Sequence, residues 1–165
     1  MRIAVSSDHA GFTLKEAVKA FLTAEHREVL DLSAPSIDPL DYFDYTAMGQ
    51  ALREHRAERG ILLCASGVGA SIAANKIPGI RAGLCHDSDS AQQGVEHDNM
   101  NVLVLGGRTV SVELAHELIG VFLNARFTGE ARHRHRLANR VAQENSLRAL
   151  RSSANPFGWI ISGET

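Results

Sequence analysis

The chain has 165 residues, of which 44% are hydrophobic and 22% are charged, and its 17 Lys and Arg nearly balance its 19 Asp and Glu. This composition predicts an ordinary globular domain and excludes a disordered or fibrous chain. The formal charge of −2 argues against broad nucleic-acid binding, and no apolar run is long enough to predict a membrane span. Cys64 and Cys85 each end an apolar run, which favours a reduced cytoplasmic protein over a disulfide scaffold.

Five short runs rich in Val, Ile and Leu recur along the chain without alternation of apolar and polar residues. This pattern is typical of strands buried on both faces, as in a parallel sheet. The predicted strands are residues 2–6, 28–32, 60–64, 80–85 and 101–105.

Helical patterns separate these predicted strands. Residues 12–24 carry apolar side chains near one helix face: Phe12, Leu14, Ala17, Val18 and Phe21. The other predicted helices are residues 45–59, 69–76, 87–96, 112–127 and 132–151. The alternation predicts an α/β fold with right-handed crossovers, in a single domain over residues 1–151. Residues 152–165 are predicted to form an irregular tail.

The loop after the third predicted strand carries the most informative chemistry. Cys64 ends the strand, and Gly67 and Gly69 follow before a helix begins. Ligands of open α/β sheets bind beyond the carboxyl ends of the strands, and glycines allow the backbone to approach them closely. Amides at a helix N-terminus favour negative charge, so this loop could hold an enediolate oxygen and favour a cysteine thiolate. A small core cysteine beside a structural turn is an equally good interpretation.

Two other segments carry titratable pairs. Asp8 and His9 follow the first strand, and an Asp beside a His can orient a proton-transfer group. Helix capping by Asp8 is the alternative role. His97 closes the fourth predicted helix, whose C-terminal dipole favours the protonated ring, and a plain surface histidine is the alternative.

Basic residues near the C-terminus match the chemistry of a phosphate group. Arg132 and Arg136 are four residues apart on one predicted helix face, and a bound anion would relieve their repulsion. Arg108, after two glycines, is a second phosphate candidate. A solvated basic face or an RNA contact is the alternative interpretation. No His and Cys spacing predicts a zinc site, and the glycine fingerprints of nucleotide binding are absent.

Segments spread in order over residues 1–145 match one known family. The most specific part is Cys64-x-Ser66-Gly67-x-Gly69 followed by Ala73-Ala74-Asn75-Lys76. Other matching segments are Ser7-Asp8-His9-Ala10-Gly11-Phe12, Asp41-Tyr42-Phe43-Asp44-Tyr45, Gly79-Ile80-Arg81-Ala82, Leu105-Gly106-Gly107-Arg108, and Arg132-His133 with Arg136. Together they resemble the type B ribose-5-phosphate isomerase family, which also includes galactose-6-phosphate and allose-6-phosphate isomerases.

The resemblance implies both an architecture and an activity. The expected fold is a three-layer α/β/α Rossmann-like sandwich, with a five-stranded parallel sheet in the order 2-1-3-5-4 and a C-terminal helix. The expected reaction is the interconversion of ribose 5-phosphate and ribulose 5-phosphate, without a metal or an organic cofactor. The expected assembly is a homodimer or tetramer whose active sites are shared between subunits.

The resemblance also implies a role for each matching residue. Cys64 would move a proton between C1 and C2, because members that use a Glu carry it six positions later, where this chain has Ala70. Ser66 would assist proton movement on the sugar oxygens, while Asp8 and His97, the latter from the neighbouring subunit, would open the furanose ring. The amides of Gly67, Val68, Gly69 and Ala70 would stabilise the enediolate. Tyr42 would line the sugar end, and the phosphate would be held by His9, Arg108, Arg132 and Arg136.

Two departures from the family pattern bear on the substrate. Asp98 stands where the family often has Asn, and a carboxylate facing sugar hydroxyls could change which sugar is accepted. The segment after about Asn145 is longer than usual and could cover a neighbouring active site or thicken an interface. Another tetrose, pentose or hexose phosphate is therefore the alternative substrate, and a non-catalytic sugar-phosphate-binding subunit is the alternative function.

Overall fold

The structure, a computed structural model, describes residues 1–33 and 46–153. The chain divides into two units, Met1–Gly129 and Glu130–Thr165, and the first unit contains the whole sheet. The predicted single domain over residues 1–151 stays a prediction. Within the described residues, none of the helices combines the length and the apolar content needed to span a bilayer.

The sheet has five parallel strands in the order β2-β1-β3-β5-β4, which confirms the expected topology. The strands are β1 (Arg2–Ser7), β2 (Glu28–Asp31), β3 (Arg59–Cys64), β4 (Ala82–Leu84) and β5 (Val102–Gly106). The three central strands are buried along nearly their whole length, whereas the edge strands β2 and β4 are partly exposed. Continuous apolar runs therefore identified the centre of the sheet correctly.

The predicted helices are all present; α1 has the predicted bounds, and the other five have different ends. They are α1 (Phe12–Ala24), α2 (Thr46–Arg53), α3 (Val68–Ala74), α4 (Ser88–Asp98), α5 (Val112–Asn124) and α6 (Ala131–Ser153). The prediction that α2 runs to residue 59 is wrong, because His55 adopts a positive φ of 54° and the amide of Glu58 bonds to β1 at Arg2. Helix α5 ends before residue 127 because Ala125 is extended, with ψ of 151°.

The strand predicted over residues 80–85 shortens to β4 for a similar reason. The amide of Ile80 donates to the carbonyl of Ile77 in a turn, 3.1 Å apart. The amide of Arg81 donates to the side-chain oxygen of Asn101 at 2.8 Å. These donors are therefore engaged before the strand pairing begins at Ala82.

Alternate residues of each strand enter opposite apolar layers, which confirms the three-layer arrangement. One layer packs α1, α4 and α5 against Ile3, Val5, Ile61, Leu63, Leu103 and Leu105. The other packs α2 and α3 against Ala4, Leu62, Cys64, Val102 and Val104. Cys64 therefore faces the α3 layer at the end of β3.

The order of the strands reverses between β1 and β3. Helix α1 connects β1 to β2 at one edge of the sheet, whereas α3 connects β3 to β4 at the opposite edge. Crevices outside the carboxyl ends of strands at such a switch point are the usual ligand sites of open α/β folds. The loops after β1 and β3, which carry Asp8 and Cys64, meet at this point.

Candidate active site

The loop after β1 is fixed against β3 by its backbone. The amide of Asp8 donates to the carbonyl of Leu63 at 3.1 Å, and the Asp8 carboxylate accepts from the amide of Gly11 at 2.9 Å. A Cβ on Gly11 would lie 2.5 Å from the Leu63 carbonyl, so only glycine allows this approach. Asp8 therefore caps a short 3-10 turn, His9–Gly11, and lies beside the end of β3.

The loop after β3 surrounds the cysteine sulfur. Gly67 has a φ of 84°, a left-handed conformation that suits glycine, and its amide donates to Sγ of Cys64 at 3.0 Å. Cys64 is 7% exposed and packs with Ala70 and Ala74 of α3. The sulfur therefore lies against a backbone N–H donor at the end of β3.

The first turn of α3 forms a cradle of amides next to this sulfur. The first amides of an α-helix have no carbonyl of their own helix to bond. Ser66 and Gly69 are exposed here, and a Cβ built on Gly69 would meet no atom within 4 Å. The Ser66 hydroxyl accepts from the amide of Val68 at 3.4 Å. The turn is thus open to a ligand with developing negative charge.

The loop after β5 is fastened to the same place. The amide of Gly107 donates to the carbonyl of Cys64 at 2.7 Å, and the amide of Arg108 donates to the carbonyl of Ala65 at 3.0 Å. A Cβ on Gly106 would lie 2.7 Å from the Ser66 carbonyl oxygen. Arg108 itself is exposed. The structure therefore gathers Asp8, Cys64 and the start of the Arg108 loop at one edge of the sheet.

The other predicted site residues lie on separate elements. His97 and Asp98 are the last two residues of α4 and are half-buried, and Asn99 ends the helix with a φ of 53°. His9 is exposed in the 3-10 turn. Tyr42 lies outside the described residues.

The predicted phosphate arginines of α6 belong to the second unit. Arg132 and Arg136 are exposed on the first two turns of the helix. Nε of Arg132 lies 2.9 Å from a carboxylate oxygen of Glu130 in an exposed ion pair. Such exposed pairs contribute little stability, so this guanidinium can exchange its partner for another anion.

A depression of about 630 Å³ lies between α4 and α5, away from these loops. Its polar lining comes from Gln92, Glu96, His116, Glu117, Asn124 and Arg126. The ring of His116 stacks on Phe21 at a centroid distance of 4.2 Å. None of the predicted catalytic or substrate-binding residues lines this depression. Within the described part of the chain, no group of three His, Cys, Asp or Glu side chains is placed to hold a metal ion.

The sequence patterns assigned no role to three polar residues near the Asp8 loop, namely Lys15, Asp31 and Ser33. Lys15 is only 2% exposed. The helical pattern predicts a buried face made of apolar residues alone: Phe12, Leu14, Ala17, Val18 and Phe21. The ammonium group of Lys15 reaches Asp31, and the hydroxyl of Ser33 accepts from the amide of Ser7 at 3.0 Å. The only signal in the sequence was the position of Lys15 next to Leu14 and three residues before Val18, on the apolar stripe.

Comparison with known proteins identifies the class to which this fold and site belong. The sequence profile described as Ribose/Galactose Isomerase matches residues 3–139. The ribose-5-phosphate isomerase B of Escherichia coli is 40% identical over 137 residues, covering 82% of this chain and 91% of that protein. The D-erythrulose-4-phosphate isomerase of Pectobacterium atrosepticum is 40% identical over 132 residues, covering 78% of this chain and 86% of that protein.

Comparison with a solved structure indicates the same family as the sequence comparisons. The ribose-5-phosphate isomerase B of Clostridium thermocellum superposes with a TM-score of 0.86 and is 37% identical, covering 89% of this chain and 99% of that chain. The chain belongs to the ribose/galactose isomerase family. The resemblance drawn from the motifs is therefore confirmed.

Proposed function

We propose that this chain interconverts ribose 5-phosphate and ribulose 5-phosphate through a cis-enediolate, with Cys64 as the base. The observation that carries the proposal is the position of the Cys64 sulfur, which accepts the Gly67 amide at 3.0 Å beside the first turn of α3. This arrangement supplies a base for carbon acid chemistry together with donors for the developing oxyanion. Relatives named ribose-5-phosphate isomerase B support the choice of substrate.

The proton transfer follows from this arrangement. The Cys64 thiolate removes the proton from C2 of the open-chain aldose, the C2–H electron pair forms the C1=C2 bond, and the carbonyl electrons move to O1. The thiol then returns a proton to C1 as C2=O forms, and the proton of the O2 hydroxyl passes to O1. Ser66 assists this transfer between the oxygens, and the amides of the α3 turn stabilise the charge on them.

Ring opening precedes this step for ribose 5-phosphate. The C1–O4 bond breaks as the anomeric hydroxyl loses its proton and O4 gains one, which leaves an aldehyde at C1. Asp8 and His97 transfer these two protons. His9, Arg108, Arg132 and Arg136 hold the phosphate. Because the phosphate is remote from C1 and C2, its binding energy positions the reacting carbons.

The two cysteines provide a matched test of the base. We expect Cys64→Ala to lower kcat by about 100-fold or more, the usual contribution of a general base. Cys85→Ala is the control, because Cys85 lies in the α1 layer and burial, together with Asp87, raises the pKa of its thiol to about 11. Both variants are assayed by conversion of ribose 5-phosphate. Unchanged turnover by Cys64→Ala would contradict the proposal, and binding without turnover by the native chain would indicate a non-catalytic subunit.

A tetrose phosphate is the second candidate substrate, because a relative with the same 40% identity is named D-erythrulose-4-phosphate isomerase. Asp98 at the end of α4 is the residue to which we assign this choice. Measuring kcat/KM for a panel of tetrose, pentose and hexose phosphates identifies the preferred substrate. The leading proposal requires ribose 5-phosphate to have the highest kcat/KM, or to share it.

We also propose that the enzyme works as a cytoplasmic homodimer or tetramer with shared active sites. Val68 and Ile72 project from α3 beside the site with exposures of 51% and 58%. Exposed apolar side chains next to a site are suited to contact with a second copy. Analytical ultracentrifugation gives the mass of the assembly, and a monomer that retains full activity would contradict the shared site.

A further inference from the structure

A lysine near the start of α1 is almost completely buried, which is rare for this residue type. Lys15 is 2% exposed, and its Nζ lies 3.1 Å from Oδ2 of Asp31 and 3.0 Å from Oε1 of Glu16. The same ammonium lies 4.8 Å from the centre of the Phe12 ring. A buried charge is retained only where other groups compensate it, so these contacts hold α1 against the end of β2.

The Asp31 carboxylate is the centre of this cluster. Its second ammonium partner is Lys19, with an N–O distance of 2.7 Å, and its Oδ1 accepts from the amide of Ser33 at 3.0 Å. Burial raises the pKa of Asp31, but the hydrogen bonds from Lys19, Ser33 and Lys15 outweigh burial and lower it to about 2. Asp31 therefore stays charged at every pH at which the enzyme would work, and it fixes the backbone of Ser33.

Ser33 connects the cluster to the loop that carries Asp8. Strand β2 ends at Asp31, and beyond it the hydroxyl of Ser33 accepts from the amide of Ser7 at 3.0 Å. Ser7 is only 7% exposed, so this hydroxyl takes the place of a strand carbonyl for a buried donor. On the other side, the amide of Asp8 bonds to Leu63 of β3. The backbone at Ser7 and Asp8 is thus held from both neighbouring strands.

We propose that Lys15, Asp31 and Ser33 form a positioning clasp that fixes Asp8 for opening of the sugar ring. The inference rests on the proposed function, because it assigns the clasp to one step of that reaction. The three residues act through Ser7 and are positioning residues rather than catalytic ones. Proton transfer at carbon belongs to Cys64 on β3, whose contacts with Gly67 and Gly107 do not involve the clasp.

The chemistry of the two sugars separates the two steps. Ribose 5-phosphate closes a furanose ring through O4 and must be opened. Ribulose 5-phosphate cannot close a furanose ring, because that ring would need O5, which carries the phosphate. Exchange of the C1 hydrogen of ribulose 5-phosphate with deuterium from D₂O therefore reports proton transfer through the enediolate without ring opening.

The experiment measures both steps in Ser33→Ala, Asp31→Asn and Lys15→Met. We expect kcat for ribose 5-phosphate to fall roughly tenfold in each variant, because a displaced proton-transfer group loses part of its contribution. Deuterium exchange into ribulose 5-phosphate should be unchanged. Ser33→Thr keeps the hydroxyl and should restore conversion. Ser33→Ala carries the test by itself if Lys15→Met does not fold.

The matched control removes an ion pair between the same two strands at their other end. Arg2 of β1 pairs with Glu28 of β2 in an exposed position, and Glu28→Gln should leave conversion and exchange unchanged. An equal fall of conversion and exchange in the clasp variants, or no fall in either, would overturn the clasp and leave the proposed function standing. A native chain that neither converts ribose 5-phosphate nor exchanges the C1 hydrogen would overturn the proposed function, and the clasp with it.

Discussion

The open space above the first turn of α3 makes Gly69 the most informative position for a single methyl group. A Cβ at this residue would meet no atom within 4 Å, so Gly69→Ala adds a side chain without any clash. Alanine in place of a helical glycine stabilises a protein by about 0.5–1 kcal/mol. In a unit of this size the gain raises Tm by roughly 3 °C. The same methyl occupies the space that we assign to the enediolate.

Gly69→Ala should therefore raise stability and lower activity together. We expect kcat/KM for ribose 5-phosphate to fall by about tenfold or more, because a displacement of about 1 Å at a reacting centre is costly. The control is Gly120→Ala in α5, where a Cβ also meets nothing within 4 Å and no substrate is expected. It should show the same gain in Tm with unchanged kcat/KM. If Gly69→Ala is as active as the native chain, the substrate does not lie over this turn.

Two further predictions concern the residues around Asp8. Because the folded-state pKa of Asp31 is about 2 and its ordinary value is 3.8, its ion pairs stabilise the fold above pH 3.8 and are lost as the pH falls towards 2. Solvent screening of this partly exposed carboxylate limits the contribution to about 1 kcal/mol. Urea unfolding over this pH range should show that loss in the native chain and not in Asp31→Asn. Gly11→Ala places a Cβ 2.5 Å from the Leu63 carbonyl, so we expect it to lose about 1–3 kcal/mol in urea unfolding, together with activity. Native stability for Gly11→Ala would show that the β1 and β3 loops can separate freely.

The layered fold was accessible from the sequence because its signals are local. The runs that became β1, β3 and β5 carry apolar residues at consecutive positions, which is typical of strands covered on both faces. The ends of α2 and α5 were not accessible. In both cases a nearby residue is engaged by a distant element: the amide of Glu58 donates to the carbonyl of Arg2, and the carbonyl of the extended Ala125 accepts from the Arg59 guanidinium.

The candidate site likewise contains residues whose contacts are local in the sequence and residues whose contacts depend on distant segments. Cys64, Gly67 and Gly69 lie within six consecutive residues, and their spacing is equally compatible with a thiol beside an amide turn and with a core cysteine beside a structural turn. In the structure the Gly67 amide donates to the Cys64 sulfur. The contacts of Lys15 and Ser33 depend on the pairing of β1 with β2, a relation between distant segments that no local pattern contains. The ring-opening role of His97 came from family resemblance, and the phosphate role of Arg132 and Arg136 came from their spacing together with that resemblance; all three roles remain proposals.

The most direct test of Cys64 as the base is a crystal structure of the Cys64→Ala variant with ribose 5-phosphate, which that variant should bind without converting. We expect C1 and C2 of the open-chain sugar to lie within about 4 Å of the position of the missing sulfur, with O1 and O2 facing the amides of Gly69 and Ala70. The phosphate should contact Arg108, Arg132 or Arg136. A sugar bound in the depression between α4 and α5, or with its C1 and C2 turned away from residue 64, would contradict the account.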